Sequence, residues 1–510
     1  MKLPRRIRLI IVLIAFTTAG LYLLYSSRNV AFRRRRLDFL QSRFLDFLNG
    51  ETHNTRGQFG GSLDRSFDPA KTFHLIVSEV YDTVASEYNR SNIHELGRRA
   101  RTNLLAYSLL HEKQSVVDQL TRTEAEQASL RTHLNVIVEE STHVLYPWIT
   151  TKYKSIRDAQ KSFLNAKDEY GIVFTSGQWH FEFCLNAILA LRKVLNCTLP
   201  IEVHYAGPDD LTEEMTRAFN SLDNVRTVDV WDYFGEEGRN ISGWAIKPFA
   251  ILASRFRKVL FIDADGLFFQ NPDKLLQTSK IFTEFGSLFY SDRTLGRGDA
   301  HFFKQINPVW THYASTLRYM TKKSLFEMES GVVAVDKGRA GPLHALMLVC
   351  KMNSRPERDL MYNYVHGDKE TFWFAWDILR VPYKFSPTFG GAAGYLNAEK
   401  QVCGGIFHVD EELQPLWFNG GVVVNKHVNK DQQYIDFQYV AYDELGSHVK
   451  WIWETDDTPF CVVTKNMPHV KVTELTVHQK GYAAQYVQMY KSISEKGWRE
   501  YFKSDLKIKL

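Results

Sequence analysis

The chain has 510 residues, more than one compact domain usually holds, in an ordinary globular balance of 44% hydrophobic and 24% charged residues. Its formal net charge of +5 is unevenly placed, because residues 1–36 carry Lys2, Arg5, Arg6, Arg8, Arg28 and Arg33 to Arg36 with no acid. The rest of the chain is therefore net acidic, which excludes the basic footprint of a nucleic-acid binder.

Residues 1–8 read as a short tail, and LIIVLIAFTTAGLYLLY (9–25) as one apolar run near the lower limit for a membrane-spanning helix. The run is longer than a usual signal-peptide core, and no small-x-small cleavage pattern precedes Arg28, so an uncleaved anchor is expected. Four positive charges precede it and five follow, which leaves orientation close to balanced. The sequons at Asn89, Asn196 and Asn240 favour a type II arrangement, with the large C-terminal part in the secretory lumen. In an oxidising lumen the five cysteines allow up to two disulfides and one free thiol.

Residues 26–69, polar, arginine-rich and punctuated by glycine, read as a stem or linker. Residues 70–165 are rich in helix formers and read as a helical stem or accessory region. From residue 166 to 510 the texture is that of a catalytic α/β domain. Strands are expected at 171–176, 201–207, 225–230 and 258–265, with helices at 181–195, 209–220 and near 244–256. That alternation predicts a mixed, mostly parallel sheet, with ligand chemistry at the carboxyl ends of its strands.

Asp263-Ala264-Asp265 closes the apolar strand KVLFI. Two carboxylates one residue apart face the same way on extended backbone and repel each other without a cation. A hard divalent ion, Mn²⁺ or Mg²⁺, would bridge them to the phosphates of a diphosphate ligand.

Lys247-Pro248-Phe249 followed by KVLFIDADGLFFQNPDKL resembles the fungal α-1,3-mannosyltransferase family that modifies secreted glycoproteins. GIVFTSG (171–177), SDRTL (291–295), MESGVVAVDKG (328–338) and GDKETFWFAW (367–376) fit the same family. The wider order is similar to glycogenin-like GT-A enzymes, although His408 stands further from Trp417 than in that pattern. The resemblance implies a GT-A-like nucleotide-sugar-binding domain behind the stem and transmembrane helix, GDP-mannose as donor, Mn²⁺ (or Mg²⁺), and an α-1,3 product formed with retention. It also implies a mannosylated glycoprotein acceptor and a Golgi membrane location, where homo- or hetero-oligomers with other transferases fit the class.

On this reading Asp263, Asp265 and His408 are the metal candidates. Lys247, Asp263, Arg293, Ser330, Gly331 and Trp417 are expected at the donor, with Lys247 and Arg293 pairing its diphosphate. Glu329, Asp368 and Glu370 are the acids expected at the sugar, and Asn419 would border it beside Trp417. Blander readings stand beside these: Asp368 as a helix N-cap, His408 as a structural hydrogen-bonder, Trp373 and Trp376 as core. A UDP-galactose or UDP-GlcNAc transferase, a silent glycan-binding scaffold and a metal hydrolase are the rival functions.

Overall fold

The computed structural model describes residues 37–46, 48–49, 93–121, 123–428, 433–443 and 449–508. The tail, the apolar run, Asn89 and most of the expected stem lie outside these residues. Among the described residues no helix is long and apolar enough to cross a membrane.

The strands are β1 (Tyr170–Thr175), β2 (Ile201–Tyr205), β3 (Val225–Asp229), β4 (Lys258–Ile262), β5 (Leu267–Phe268), β6 (Ser287–Ser291), β7 (Met328–Asp336) and β8 (Phe385–Phe389). All but β5 form one sheet, ordered β3-β2-β1-β4-β7-β6-β8. Pairing is parallel from β3 through β4, antiparallel on both sides of β7, and parallel again between β6 and β8. The expected mixed, mostly parallel sheet is therefore present.

Both faces of this sheet are covered, which is why its strands read as continuous apolar runs rather than alternating ones. Val173, Val259, Phe261, Val333 and Val335 face one core, while Ile172, Phe174, Leu260, Ile262 and Val332 face the other.

The second sheet is built from β9 (Gly391–Leu396), β10 (Val402–Val409), β11 (Pro415–Asn419), β12 (Tyr439–Asp443), β13 (Trp451–Ile452), β14 (Cys461–Val462) and β15 (Val470–Glu474), and β11 also pairs with β5. A disulfide joins Cys403 on β10 to Cys461 on β14, while Cys184, Cys197 and Cys350 are buried free thiols.

Part of the expected linker at 26–69 is helical and packed, and the described part of 70–165 takes the accessory arrangement of its two expected ones. Residues 37–46 and 48–49 are helical, with Leu37, Phe44, Leu45 and Leu48 buried in the first core. Asp38 meets Arg98 at 3.1 Å and Arg101 at 2.5 Å, and Asp46 meets Arg380 at 2.6 Å. The helices Ile93–His111, Glu124–Leu145 and Ile156–Leu164 contribute Leu104, Tyr107, Leu134 and Phe163 to that core, and Trp148 packs 5.4 Å from Phe249. The described part of the N-terminal third is thus packed on the sheet, not detached from it.

Local caps also shift two helices. The one expected at 209–220 begins at Glu213, because Thr212 accepts the Met215 N–H as N-cap and Asp210 turns back to accept the Ala206 N–H at 2.9 Å. The helix after Phe181 runs as α-helix to Leu189 and finishes in a wider turn over Ala190–Val194.

Candidate active site

A cleft of about 1130 Å³ opens over the carboxyl ends of β1 and β4 and the start of β7. Its floor is the Asp263–Gly266 segment. This segment is not extended as the sequence suggested: the Gly266 N–H closes a turn on the Asp263 carbonyl at 2.9 Å. Gly266 is required there, since a Cβ would meet Ile262 Cγ2 at 2.8 Å. The Asp263 N–H bonds the Gly331 carbonyl (2.8 Å), so the turn is registered against β7. Both aspartates line the cleft.

Each aspartate meets a cation, Asp263 one from the helix just before β4 and Asp265 one from a loop 161 residues further on. Lys247, buried in the helix Ile246–Ala253, places Nζ 3.0 Å from Asp263 Oδ1 and 3.5 Å from Asp368 Oδ2. Its ammonium also donates to the Ser330 hydroxyl (2.8 Å) and carbonyl (2.9 Å). Burial depresses this ammonium, but the Asp263 and Asp368 carboxylates outweigh it and hold Lys247 charged.

On the other aspartate, Lys426 Nζ lies 2.5 Å from Asp265 Oδ2. Burial pushes the Asp265 carboxyl up; Lys426, and to a lesser degree His180, bring it below the usual value. The Gly420-Gly421 pair, both with positive φ (108° and 72°), brings this loop in, and the Gly421 N–H bonds the Asp265 carbonyl at 2.9 Å.

Asp368, Glu329 and Glu370 separate into different roles. Asp368 stands before the helix Lys369–Ile378 but its side chain makes no capping bond; the carboxylate instead accepts from Ser330 Oγ at 3.3 Å and faces Lys247. Burial pushes its carboxyl up, and Lys247 opposes that. Glu329 lines the cleft, its Oε1 accepting from the Gly331 N–H (2.8 Å) and Asn419 Nδ2 (3.1 Å). Burial, then the nearby Asp292, raises the Glu329 carboxyl to about 7. A Cβ at Gly331 would come 2.6 Å from Asn419 Nδ2 and 2.8 Å from Glu329 Oε1, so glycine makes room for this arrangement.

Glu370 is fully buried and absent from the cleft lining. It accepts the Glu327 N–H (2.9 Å), the Met328 N–H (3.2 Å) and the Trp373 indole N–H, which fastens its helix to the start of β7. Trp373 and Trp376 are core.

His408 and Trp417 are likewise removed from the cleft lining. They face each other across β10 and β11 with rings stacked 4.4 Å apart, and Tyr290 closes edge-on against both. Both His408 ring nitrogens are buried without a hydrogen-bond partner, and burial lowers its pKa to about 3. The structure therefore does not bring His408 together with Asp263 and Asp265, and among the described residues no group of three His, Cys, Asp or Glu side chains converges as a metal cage.

Arg293 lines the cleft but leaves β6, which β7 separates from the strand bearing the aspartates. Lys426, His180 and Asp292 were not singled out by the sequence. The Gly-Gly pair before Lys426 was the one local signal for its loop; the pairing itself spans 161 residues.

The donor set fits a divalent ion that arrives with phosphate. Mg²⁺-type sites commonly use one or two carboxylates, substrate oxygens and water. Asp263 and Asp265 supply that number, and a lysine ammonium already lies on Asp265 where positive charge is wanted.

Comparison with known proteins gives a consistent family. Residues 169–412 match the family described as "Mannosyltransferase putative". The putative alpha-1,3-mannosyltransferase MNN14 of Candida albicans is 26% identical over 424 residues, covering 68% of this chain and 59% of that protein. The probable alpha-1,3-mannosyltransferase MNT4 of Saccharomyces cerevisiae is 23% identical, covering 67% of this chain and 70% of that protein. The chain spans 59% or less of the length of MNN14 and of the Candida MNN1 protein, for which the share is 40%. Among solved structures, galactosyltransferase LgtC aligns over 42% of this chain and 73% of its own, at 14% identity and a TM-score of 0.27. The mannosyltransferase Ktr4p of S. cerevisiae aligns over 45% and 77%, at 10% identity and a TM-score of 0.25.

Proposed function

Starting from the fungal mannosyltransferase family, which the match over residues 169–412 and the curated relatives support, we propose that the protein transfers mannose from GDP-mannose to a mannose-containing glycan. The linkage formed is α-1,3 with retention, on a GT-A-type domain. The observation that carries this reading is the acid pair just after β4, lining a large cleft with a cation on each carboxylate.

A divalent ion held by Asp263 and Asp265 would neutralise the donor diphosphate and stabilise charge on the leaving group. The chain's own groups do the rest. Lys247 fixes Asp263 and Asp368 relative to one another through Ser330. Asp368 is the immobilised carboxylate that faces positive charge developing at the anomeric carbon. Glu329, oriented by Asn419 and the Gly331 N–H, exchanges a proton near neutral pH and accepts one from the acceptor hydroxyl. Lys426, paired with Asp265, would offer its charge to the diphosphate beside that carboxylate. His408 has no part in this scheme.

The exposed Asn196 and Asn240, the Cys403–Cys461 disulfide and the apolar run at 9–25 support a Golgi membrane protein with a lumenal catalytic body.

The full chain, purified in detergent with Mn²⁺, tests this with labelled GDP-mannose, UDP-galactose and UDP-GlcNAc against defined α-mannosides, followed by linkage analysis. Transfer from GDP-mannose alone, giving an α-1,3 product, is expected. Transfer only from a UDP-sugar, release of free mannose independent of acceptor, or no turnover of any donor would overturn it.

A further inference from the structure

Trp179 and Trp244 both line the cleft with more than half of each side chain open to it, at 68% and 56% exposure. Trp179 follows β1, where the loops at the carboxyl ends of parallel strands take a nucleotide. Trp244 belongs to a different wall. It stands three residues before Lys247, and its neighbours come from the segment that leads into the helix Lys369–Ile378. Glu370 fastens that helix to the start of β7, so the Trp244 wall lies on the β7 side of the aspartates.

The indole is held in place although its outer part is open. It lies against the backbone of Gly367, where φ is +66° and a Cβ would come 2.8 Å from Trp244 Cε3. A side chain at that position would strain the backbone and displace the ring. The His366 ring stands 4.9 Å away at 48°, and Tyr362 stands at 6.4 Å with its hydroxyl donating to Asn353 Oδ1 at 2.7 Å. Ala245 and Ile246, which follow Trp244, are buried. The residue after Gly367 is Asp368, whose carboxylate lies 3.5 Å from Lys247 Nζ. A ligand resting on this indole therefore has Asp368 as its neighbour.

Arg355 and Asp359, from the same segment, extend the wall. Both line the cleft and are largely exposed, with Arg355 Nε 3.3 Å from Asp359 Oδ1. A guanidinium and a carboxylate side by side offer donors and acceptors that adjacent sugar hydroxyls can bridge. An open aromatic face bordered by such a pair suits an uncharged pyranose, which has an apolar C–H face and a polar rim. We infer that Trp244, with His366 and the Arg355–Asp359 pair, forms the acceptor subsite and takes a mannosyl unit of the glycan to be extended. The sugar packs on Trp244 and directs a hydroxyl towards the centre that Asp368 faces. This inference rests on the transferase reading for the identity of the sugar and the role of Asp368.

Isothermal titration of the full chain in detergent, saturated with GDP and Mn²⁺, with α-linked mannotriose tests it. GDP affinity is measured separately on the same proteins. Wild type should bind mannotriose saturably. W244A should weaken that binding at least tenfold and W244F by less, with the GDP Kd of each within twofold and melting temperatures unchanged. Mannotriose binding unaffected by W244A, a tenfold loss of GDP affinity instead, or no mannotriose binding by wild type would overturn the inference. The transferase reading fails separately: wild type that binds mannotriose through Trp244 yet transfers no mannose defeats that reading and leaves the subsite standing.

Discussion

Lys426 Nζ and Asp265 Oδ2 are 2.5 Å apart although 161 residues separate them in the chain. Burial disfavours the Asp265 charge, and Lys426 restores it. The lysine is thus the resident countercharge at a position where a divalent ion would sit. Lys426→Met should destabilise the protein by about 1–3 kcal/mol in chelator, discounted because the lysine is partly exposed. Mn²⁺ should recover the loss. Thermal melts with and without Mn²⁺ check this; an equal deficit in both would place the pair outside the metal's reach.

Lys247 serves two carboxylates at once, so removing it strands both. Lys247→Met should cost roughly 3–5 kcal/mol, and adding Asp368→Asn should return part of that loss. A double-mutant cycle by urea denaturation measures the coupling. Additive losses would show that the two residues are not linked as the contacts describe.

Glu329 sets a pH dependence of stability. Its carboxyl is raised to about 7 in the folded protein and reverts to the usual range on unfolding. Between those values the folded state binds the extra proton. Its contribution is complete below about pH 4.5 and is lost as pH rises through about 7. Wild type should therefore lose on the order of 1–3 kcal/mol more than Glu329→Gln between pH 5 and pH 8. Parallel stability curves for the two proteins would contradict the assignment.

Glu370 satisfies three N–H donors and does not line the cleft. Glu370→Ala should lower stability by about 2–4 kcal/mol, since it leaves buried donors unmet. Glu329→Ala should mainly lower the transfer rate. Donor turnover measured below each variant's melting temperature separates the two; a rate loss in Glu370→Ala matching that of Glu329→Ala would return Glu370 to the reaction.

Asp46 and Arg380 tie the first described helix to the core. Asp46→Asn should destabilise the catalytic body by about 3–5 kcal/mol, whereas a loose stem would tolerate it freely.

Much of the sheet was legible because β1, β4 and β7 are buried on both faces and so carry unbroken apolar runs. The acid pair was legible because it ends one of those runs and is followed by glycine. The Lys247 partnership was only half legible. The Lys-Pro-Phe triplet marked the residue, but the sequence suggested a diphosphate partner, and the carboxylates that hold the lysine come from the turn after β4 and the residue before the helix at Lys369. Glu370 and Asp368 look alike in sequence, two residues apart at a helix start. Helical rotation sends one into the backbone of β7 and the other towards Lys247. The packed helical residues 37–46 and 48–49 were obscured by the neighbouring arginines, although Leu37, Leu40, Phe44 and Leu48 recur at helical spacing. The Lys426 pairing depends on a loop that reaches Asp265 only after the second sheet has formed, which no local spacing reports.

Titration of the full chain with GDP, in Mn²⁺ and in EDTA, for wild type and Asp265→Asn, decides whether the acid pair after β4 holds a metal-bound diphosphate. Saturable binding by wild type that depends on Mn²⁺ and weakens at least a hundredfold in Asp265→Asn, with the fold intact, is the predicted result. Equal GDP affinity in EDTA, or in Asp265→Asn, would contradict it.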